Sequence, residues 1–321
     1  MTQKIDAPWQ LGGLTLSHRL IQAPLAGYSC APFRRLFNHY HPPAYCMSEM
    51  VSAQDILTKH ANHSRYLYRH PDEQILGYQL SGTDPTIMQK AALRCEALGA
   101  DLIDINCGCP KTKIRRKGAG SALLENPDQL LRIIAAIKAA ISIPLTIKIR
   151  LLDNERTTPL AQQIANAGAD ALVVHGRTYQ QGYDVPSDWE RIATIKKSIS
   201  IPVIANGDIA DLSSLSQAIR TSQCDAFMIG RAGTGKPWLY QQLLSGVTCQ
   251  PSFGKRVELL IEQLEHIALI DGEPSALLQA RSLVRYFFKV ERANIPLEHL
   301  YQCNTLTKLH QHLMNCSIMA H

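Results

Sequence analysis

The stretch Gly99-Ala-Asp-Leu-Ile-Asp-Ile-Asn106-Cys-Gly-Cys109-Pro110 holds a complete structural transition. Gly99 is the residue type that ends a helix, because it enters a left-handed backbone without a Cβ penalty. Leu102 to Asn106 is a short apolar run of the kind that a buried parallel strand shows. Gly-Cys-Pro then makes a turn, which puts the Cys109 thiol at the end of a strand. The Gly-Ala-Asp opening returns at 168–170, and Ser-Ile-Pro leads into apolar runs at 142–144 and 200–202. One supersecondary unit is being reused.

Working outward, eight such runs occur: Leu20 to Ala23, Tyr45 to Glu49, Ile75 to Leu80, Leu102 to Asn106, Leu145 to Ile149, Ala171 to His175, Val203 to Asn206 and Ala226 to Gly230. Amphipathic segments separate them. Asp84-Pro85 and Asn126-Pro127 open two of these with Pro at the favoured first helical position. Eight strand-helix units point to a closed barrel rather than an open sheet. Ahead of the first run, Gly12-Gly13 between apolar residues reads as a hairpin covering the barrel floor. After Cys249-Gln-Pro-Ser-Phe-Gly254, a linker, Arg256 to Met314 has helical periodicity and no strand signal. The expected architecture is α/β: a (β/α)8 TIM barrel over 1–248, then a smaller all-helical domain over 249–321.

The 321 residues are 45% hydrophobic, enough for a large core, and 19% charged, too few for a disordered chain. A net charge of +6 permits a polyanionic partner without demanding one. Nine cysteines, an odd number without framework spacing, indicate a reduced cytoplasmic protein. No signal peptide or membrane span is expected. A monomer is the default.

Residues just after each strand line the catalytic face of such a barrel. Gly207 and Gly230, at neighbouring strand ends and followed by Arg231, read as a phosphate site. Lys148 lies between Ile147 and Ile149, so its ammonium needs either a site role or a structural ion pair, with Glu49 the candidate partner. The site role is a cation beside an electron-rich ring, which a flavin requires. Gln79 is placed to bond such a ring, and Asn106 to hold cofactor or substrate. His175 stands at a strand end ahead of Gly-Arg, which favours a site over a buried histidine. Cys109 has three readings: structural thiol, metal ligand with Cys107, or acid–base group. Zinc sites take four ligands, usually with Cys-x-x-Cys spacing, which is absent here. Lys111 to Lys117 then places five cations in seven residues directly after this turn. Charge runs are commonly solvated loops, but here a polyanion would be drawn to the chemistry.

Ala23-Pro24-Leu-Ala-Gly27, Ser48-Glu49-Met50, Asp104-Ile-Asn106-Cys-Gly108-Cys109-Pro110, Gly118 to Leu124, His175-Gly-Arg-Thr178, Ile204 to Asp208 and Met228 to Ala232 together resemble the bacterial tRNA-dihydrouridine synthases, in order over residues 10 to 245. The resemblance implies an FMN-bearing barrel and a helical domain that grips tRNA. It implies cofactor contacts at Pro24, Leu25, Ala26, Gln79, Lys148, His175, Asn206, Gly207, Asp208, Gly230 and Arg231. It makes Cys109 the catalytic cysteine and brings Asn106, Arg150 and Arg177 near flavin and substrate. It also implies a mechanism: NADPH reduces FMN, a D-loop uridine is turned out of the tRNA, flavin N5 gives a hydride to uracil C6, and Cys109 gives a proton to C5. The chain departs from the family pattern at Leu25, at Ser29-Cys30 and at Leu151-Leu152-Asp153. Lys113, Arg115 and Arg116 are the expected RNA contacts of the basic loop. Arg281, Arg285, Lys289 and Arg292 recur along one helical face as phosphate contacts of the helical domain, and a solvated face is the bland alternative.

Two other functions compete. An FMN-dependent small-molecule dehydrogenase of the dihydroorotate type would need neither the basic loop nor the helical extension. A non-catalytic RNA-binding protein on an old scaffold would be expected to have lost Cys109 or Lys148.

Overall fold

The computed structural model describes residues 5–58, 64–248, 250–289 and 297–318. Strands β1 (Trp9–Leu11) and β2 (Leu14–Leu16) form an antiparallel hairpin. Gly12 makes its turn at φ +55°, and a Cβ there would lie 2.9 Å from the Pro144 ring. Eight parallel strands follow: β3 (Leu20–Gln22), β4 (Cys46–Ser52), β5 (Leu76–Ser81), β6 (Leu102–Cys107), β7 (Leu145–Arg150), β8 (Ala171–His175), β9 (Val203–Asn206) and β10 (Ala226–Ile229). Their order is β3-β10-β9-β8-β7-β6-β5-β4. The Ala44 N–H donates to Leu20 O at 2.8 Å and the Gln22 N–H to Tyr45 O at 3.2 Å, which ties β4 to β3 and closes the ring. The eight apolar runs are the eight strands, with β4 starting one residue after its run and ending three residues beyond it.

The strands carry apolar residues on both faces because both faces are covered. On one face Ile103, Ile105, Ile147, Ile149, Leu172, Val174 and Phe227 belong to the cluster shared with the surrounding helices. On the other, Leu102, Ala171, Val173, Ile204, Ala226 and Met228 meet Trp9, Leu11 and Leu16 of the hairpin. The hairpin therefore seals the end at which the strands begin. The helices start where their caps dictate: Asp84, Asn126, Asp188 and Asp211 each accept a first-turn N–H, ahead of Pro85–Ala97, Pro127–Lys138, Trp189–Ser198 and Leu212–Ser222.

Beyond β10 the described residues are helical. Ser252 caps a helix over Phe253–Asp271, followed by Glu273–Phe287, Leu297–Gln302 and Leu306–Ile318. Leu259, Leu260, Leu264, Leu283 and Phe287 join the same apolar cluster as Phe33 and Phe37 of the barrel. Arg65 adds ion pairs to Glu49 and Asp271, both at 2.9 Å. Lys289 lies past the end of the Glu273–Phe287 helix, because Phe288 leaves helical geometry to pack on Phe253 at 4.7 Å, so it does not extend the cationic face. Arg292 and Cys249 lie outside the described residues. No helix among the described residues is long and apolar enough to cross a membrane.

The tightest joint between barrel and helices is Gly235. Its φ is +69°, and a Cβ would sit 2.6 Å from the Phe287 nitrogen. Replacing Gly235 with Ala should cost about 1–3 kcal/mol, through left-handed strain and a backbone clash together. Thermal unfolding should register this as a midpoint several degrees lower.

Candidate active site

Side chains alternate across a pleated strand, so every second residue enters the barrel. On β6 to β9 this delivers Asp104, Asn106, Thr146, Lys148, Arg150, His175 and Asn206 to the interior. Register brings them to matching heights: Asn106 pairs with Lys148, Arg150 with His175, and His175 with Asn206. Cys107 belongs to the opposite face, fully buried among the helices. Its thiol is turned away from the interior that Asn106 and Lys148 line.

Lys148 donates to Asn206 Oδ1 at 3.0 Å, and the Asn206 amide is oriented by its own bond to Met228 O at 2.8 Å. Burial pulls the Lys148 pKa down from its ordinary value, while the carboxylate of Asp104 opposes that shift. Glu49 is not its partner. That carboxylate accepts from Gly27 N at 2.5 Å and from Arg65 at 2.9 Å. Beneath the mouth, Gln79 and Asp104 are each 1% exposed. Burial pushes the Asp104 carboxyl up against the opposing bonds from Thr146 and Gln79. The Cys109 turn is half-buried above them, its N–H bonded to Asn106 Oδ1 at 2.9 Å. Gly120 supports the turn from the next loop: at φ +63°, its Cβ would meet Cys109 O at 2.8 Å.

On the side expected to take a phosphate, Gly207 at φ +124° and Asp208 at +50° are consecutive left-handed residues. A side chain at 207 would strike Ser187 and the His175 ring. Gly230 differs. A Cβ there would make only ordinary contacts, with Leu25 Cδ2 nearest at 3.7 Å, so the protein's own packing does not require glycine. Pro24 and Leu25 are half-buried and Ala26 exposed beside it. His175 is pushed down to about 2 by burial first and then by Lys148, Arg150, Arg177 and Arg231, so it is neutral. This cradle fits a planar cofactor with a phosphate tail, since it offers side-chain amides, one ammonium and a glycine backbone at 207 that an anion can approach closely.

Arg177 is 1% exposed. It bonds Asp208 at 2.6 Å, His175 Nε2 at 3.2 Å and Val185 O, and so brackets the loop after β8. Arg150 donates to Thr178 O at 2.7 Å, and its charge reaches Cys109. Tyr183, which sequence reasoning missed, projects from this loop. Its ring lies 3.6 Å from the Arg231 guanidinium carbon and stacks toward His175 at 6.3 Å. A single tyrosine in an irregular loop carries no periodic signal.

In the basic loop, Arg115 is not free. It bonds Ser121 at 2.9 Å and Glu125 at 2.8 Å, and caps the Tyr179 ring at 3.6 Å. Lys111, Lys113, Arg116 and Lys117 are exposed. On the helices, Arg281 and Arg285 are exposed and flank Tyr301, each 5.9 Å from its ring, with Arg285 bonded to its hydroxyl at 2.8 Å. Tyr286 reaches the barrel mouth and meets Tyr28 edge-on at 5.4 Å.

A family model described as "Dihydrouridine synthase (Dus)" matches residues 21–319. The tRNA-dihydrouridine synthase B of Pasteurella multocida (strain Pm70) is 32% identical over 288 residues, which is 87% of this chain and 86% of that protein. The Pseudomonas aeruginosa protein of the same name is 37% identical over 287 residues, again 87% and 86%. A probable tRNA-dihydrouridine synthase 1 of Synechocystis sp. is 35% identical over 312 residues, 93% and 86%. Among solved structures, a morphinone reductase variant in complex with tetrahydroNAD superposes with TM-score 0.57 at 17% identity, over 76% of this chain and 91% of that one. An old yellow enzyme homologue from Zymomonas mobilis does so with TM-score 0.59 at 13%, over 78% and 94%. At such identities the likeness is one of fold.

Two buried histidines lower stability in acid, and the raised Asp104 carboxyl opposes them in part. His18 is pushed down to about 4 and His175 to about 2, in both cases chiefly by burial. Both folded values lie below the unfolded value of 6.5. The unfolded chain therefore binds more protons between that value and the folded ones, and stability falls with pH across that window. Taking the protein from neutral pH to pH 5.5 should cost on the order of 1 kcal/mol per histidine, read as a lower unfolding midpoint. His175→Asn should remove its share.

Proposed function

The chain belongs to the dihydrouridine synthase family, and we propose that it reduces specific uridines of the tRNA D-loop to 5,6-dihydrouridine, with FMN as cofactor and NADPH as reductant. The observation that carries this reading is the position of Cys109. Its turn stands at the barrel mouth, anchored to Asn106, with Arg150 beside it and exposed cations immediately downstream. In this proposal 1–248 is the catalytic barrel and 249–321 the tRNA-binding part of a cytoplasmic monomer.

Pro24, Leu25, Ala26, Gln79, Lys148, His175, Asn206, Gly207, Asp208, Gly230 and Arg231 would hold the flavin, which supplies the hydride for uracil C6. The remaining tasks belong to the chain. Cys109 holds a proton at Sγ and delivers it to C5. Arg150 supplies positive charge close to that sulfur. Lys148 keeps an ammonium at the mouth, where negative charge develops, and the Asn206 bond fixes its direction. Neutral His175 can donate or accept without adding charge. Asn106 acts through the Cys109 turn, whose N–H groups donate to its Oδ1. Arg177 acts through the loop that it brackets, by presenting Tyr183 to the mouth. The base has to leave its stack to reach this depth. Lys113 and Arg116 attract the phosphate backbone, while Arg115 holds their loop in place. Arg281 and Arg285 are proposed as further phosphate contacts.

Cys109→Ala should keep the flavin absorption and lose about 10²–10⁴-fold in turnover on tRNA. Loss of the flavin instead would show that the residue has another role. In a deletion strain, position-resolved mapping should show dihydrouridine missing from tRNA, and unchanged tRNA with no redundant enzyme would sink the proposal. The double variant Lys113→Ala with Arg116→Ala should weaken tRNA binding and shallow its salt dependence by about one unit of slope per lost phosphate contact. Arg115→Ala should in addition lower the unfolding temperature.

A further inference from the structure

Below the mouth runs a continuous chain of side-chain hydrogen bonds. Asp104 accepts from Thr146 Oγ1 at 2.6 Å on one oxygen and from Gln79 Nε2 at 2.7 Å on the other. Gln79 Oε1 accepts from Asn106 Nδ2 at 2.8 Å. Asn106 Oδ1 accepts from Gly108 N at 3.2 Å and Cys109 N at 2.9 Å. Asp104, Gln79 and Asn106 come from β5 and β6, and all three are at most 8% exposed.

An amide side chain can present either end to a neighbour. The two in this chain have no such choice. At one end stands a carboxylate, which only accepts; at the other stand backbone N–H groups, which only donate. One orientation of Gln79 and Asn106 satisfies both ends. We propose that Asp104 is a positioning residue for the proton donor, its carboxylate setting the polarity of the chain that holds the Cys109 turn. This rests on the reading of Cys109 as that donor. A buried carboxylate is costly, and an apolar residue would serve packing alone better. An amide at 104 could turn its NH2 toward Gln79. The flip would pass along the chain and set Asn106 Nδ2 against the Gly108 and Cys109 N–H groups, donor against donor, and the turn would open.

The test uses the full-length holoprotein. Iodoacetamide labelling, quantified on the Cys109 peptide by mass spectrometry, reports the turn independently of catalysis. Asp104→Asn should speed labelling of Cys109 by about five-fold, the factor that one hydrogen bond is worth. It should lower kcat by about 10- to 100-fold, the cost of a displaced reacting group, with the KM for tRNA unchanged. Gln79→Met cuts the chain while leaving Asp104 intact, and should speed labelling equally. The double variant should add nothing further, as members of one network do. Labelling at the wild-type rate in Gln79→Met would overturn the proposal even if Asp104→Asn does not fold. Fully additive effects in the double variant would overturn it as well. Full turnover by Cys109→Ala would instead overturn the donor reading, and the labelling results would still report on the chain.

Discussion

A closed parallel barrel leaves no strand edge and no second solvent face, so each strand residue goes either to the helices or to the interior. That constraint governs the rest of this molecule. The helix-facing set is aliphatic almost without exception. The interior set splits by height, apolar near the hairpin and polar near the mouth. Polar groups placed there are cut off from bulk water and have to satisfy one another. Hence Lys148 is tied to Asn206, and Asp104, Gln79 and Asn106 bond in series.

The mouth is electropositive without holding a row of free cations. Burial keeps the His175 ring neutral, and Lys148, Arg150, Arg177 and Arg231 act in the same direction. Arg177 spends most of its donors on its own loop and Asp208, and one NH2 group of Arg150 bonds two carbonyls of that same loop. Their positive field remains while their geometry is fixed. Such preorganised charge stabilises negative charge that develops in a reaction without reorienting for it.

Much of this could be read from the sequence. The strands were legible because buried parallel strands are continuously apolar, and Pro85 and Pro127 marked helix starts. Cys109, Lys148, His175 and Gly207 could be singled out because a thiol turn, a lysine in an aliphatic strand, and glycine or histidine at strand ends break an otherwise regular pattern. What escaped depends on distant partners. The sequence alone makes Glu49 a candidate partner for Lys148, yet Glu49 serves Arg65, 16 positions away in sequence. Asp104 looked like part of a motif, and its task emerges only from bonds that cross strands. Arg115 counted as one of five equal cations until Tyr179 and Glu125 were seen to hold it. Tyr183 gained meaning only from Arg231 beneath its ring. Periodicity reports which face is buried; it does not report which neighbour a side chain meets.

The hairpin at the floor has a kinetic consequence. Trp9, Leu11 and Leu16 plug the barrel floor with apolar side chains, each at most 7% exposed. In the proposed reaction the floor offers no way in, and reductant and tRNA would share the mouth. A one-ended vessel of this kind suits visitors that take turns.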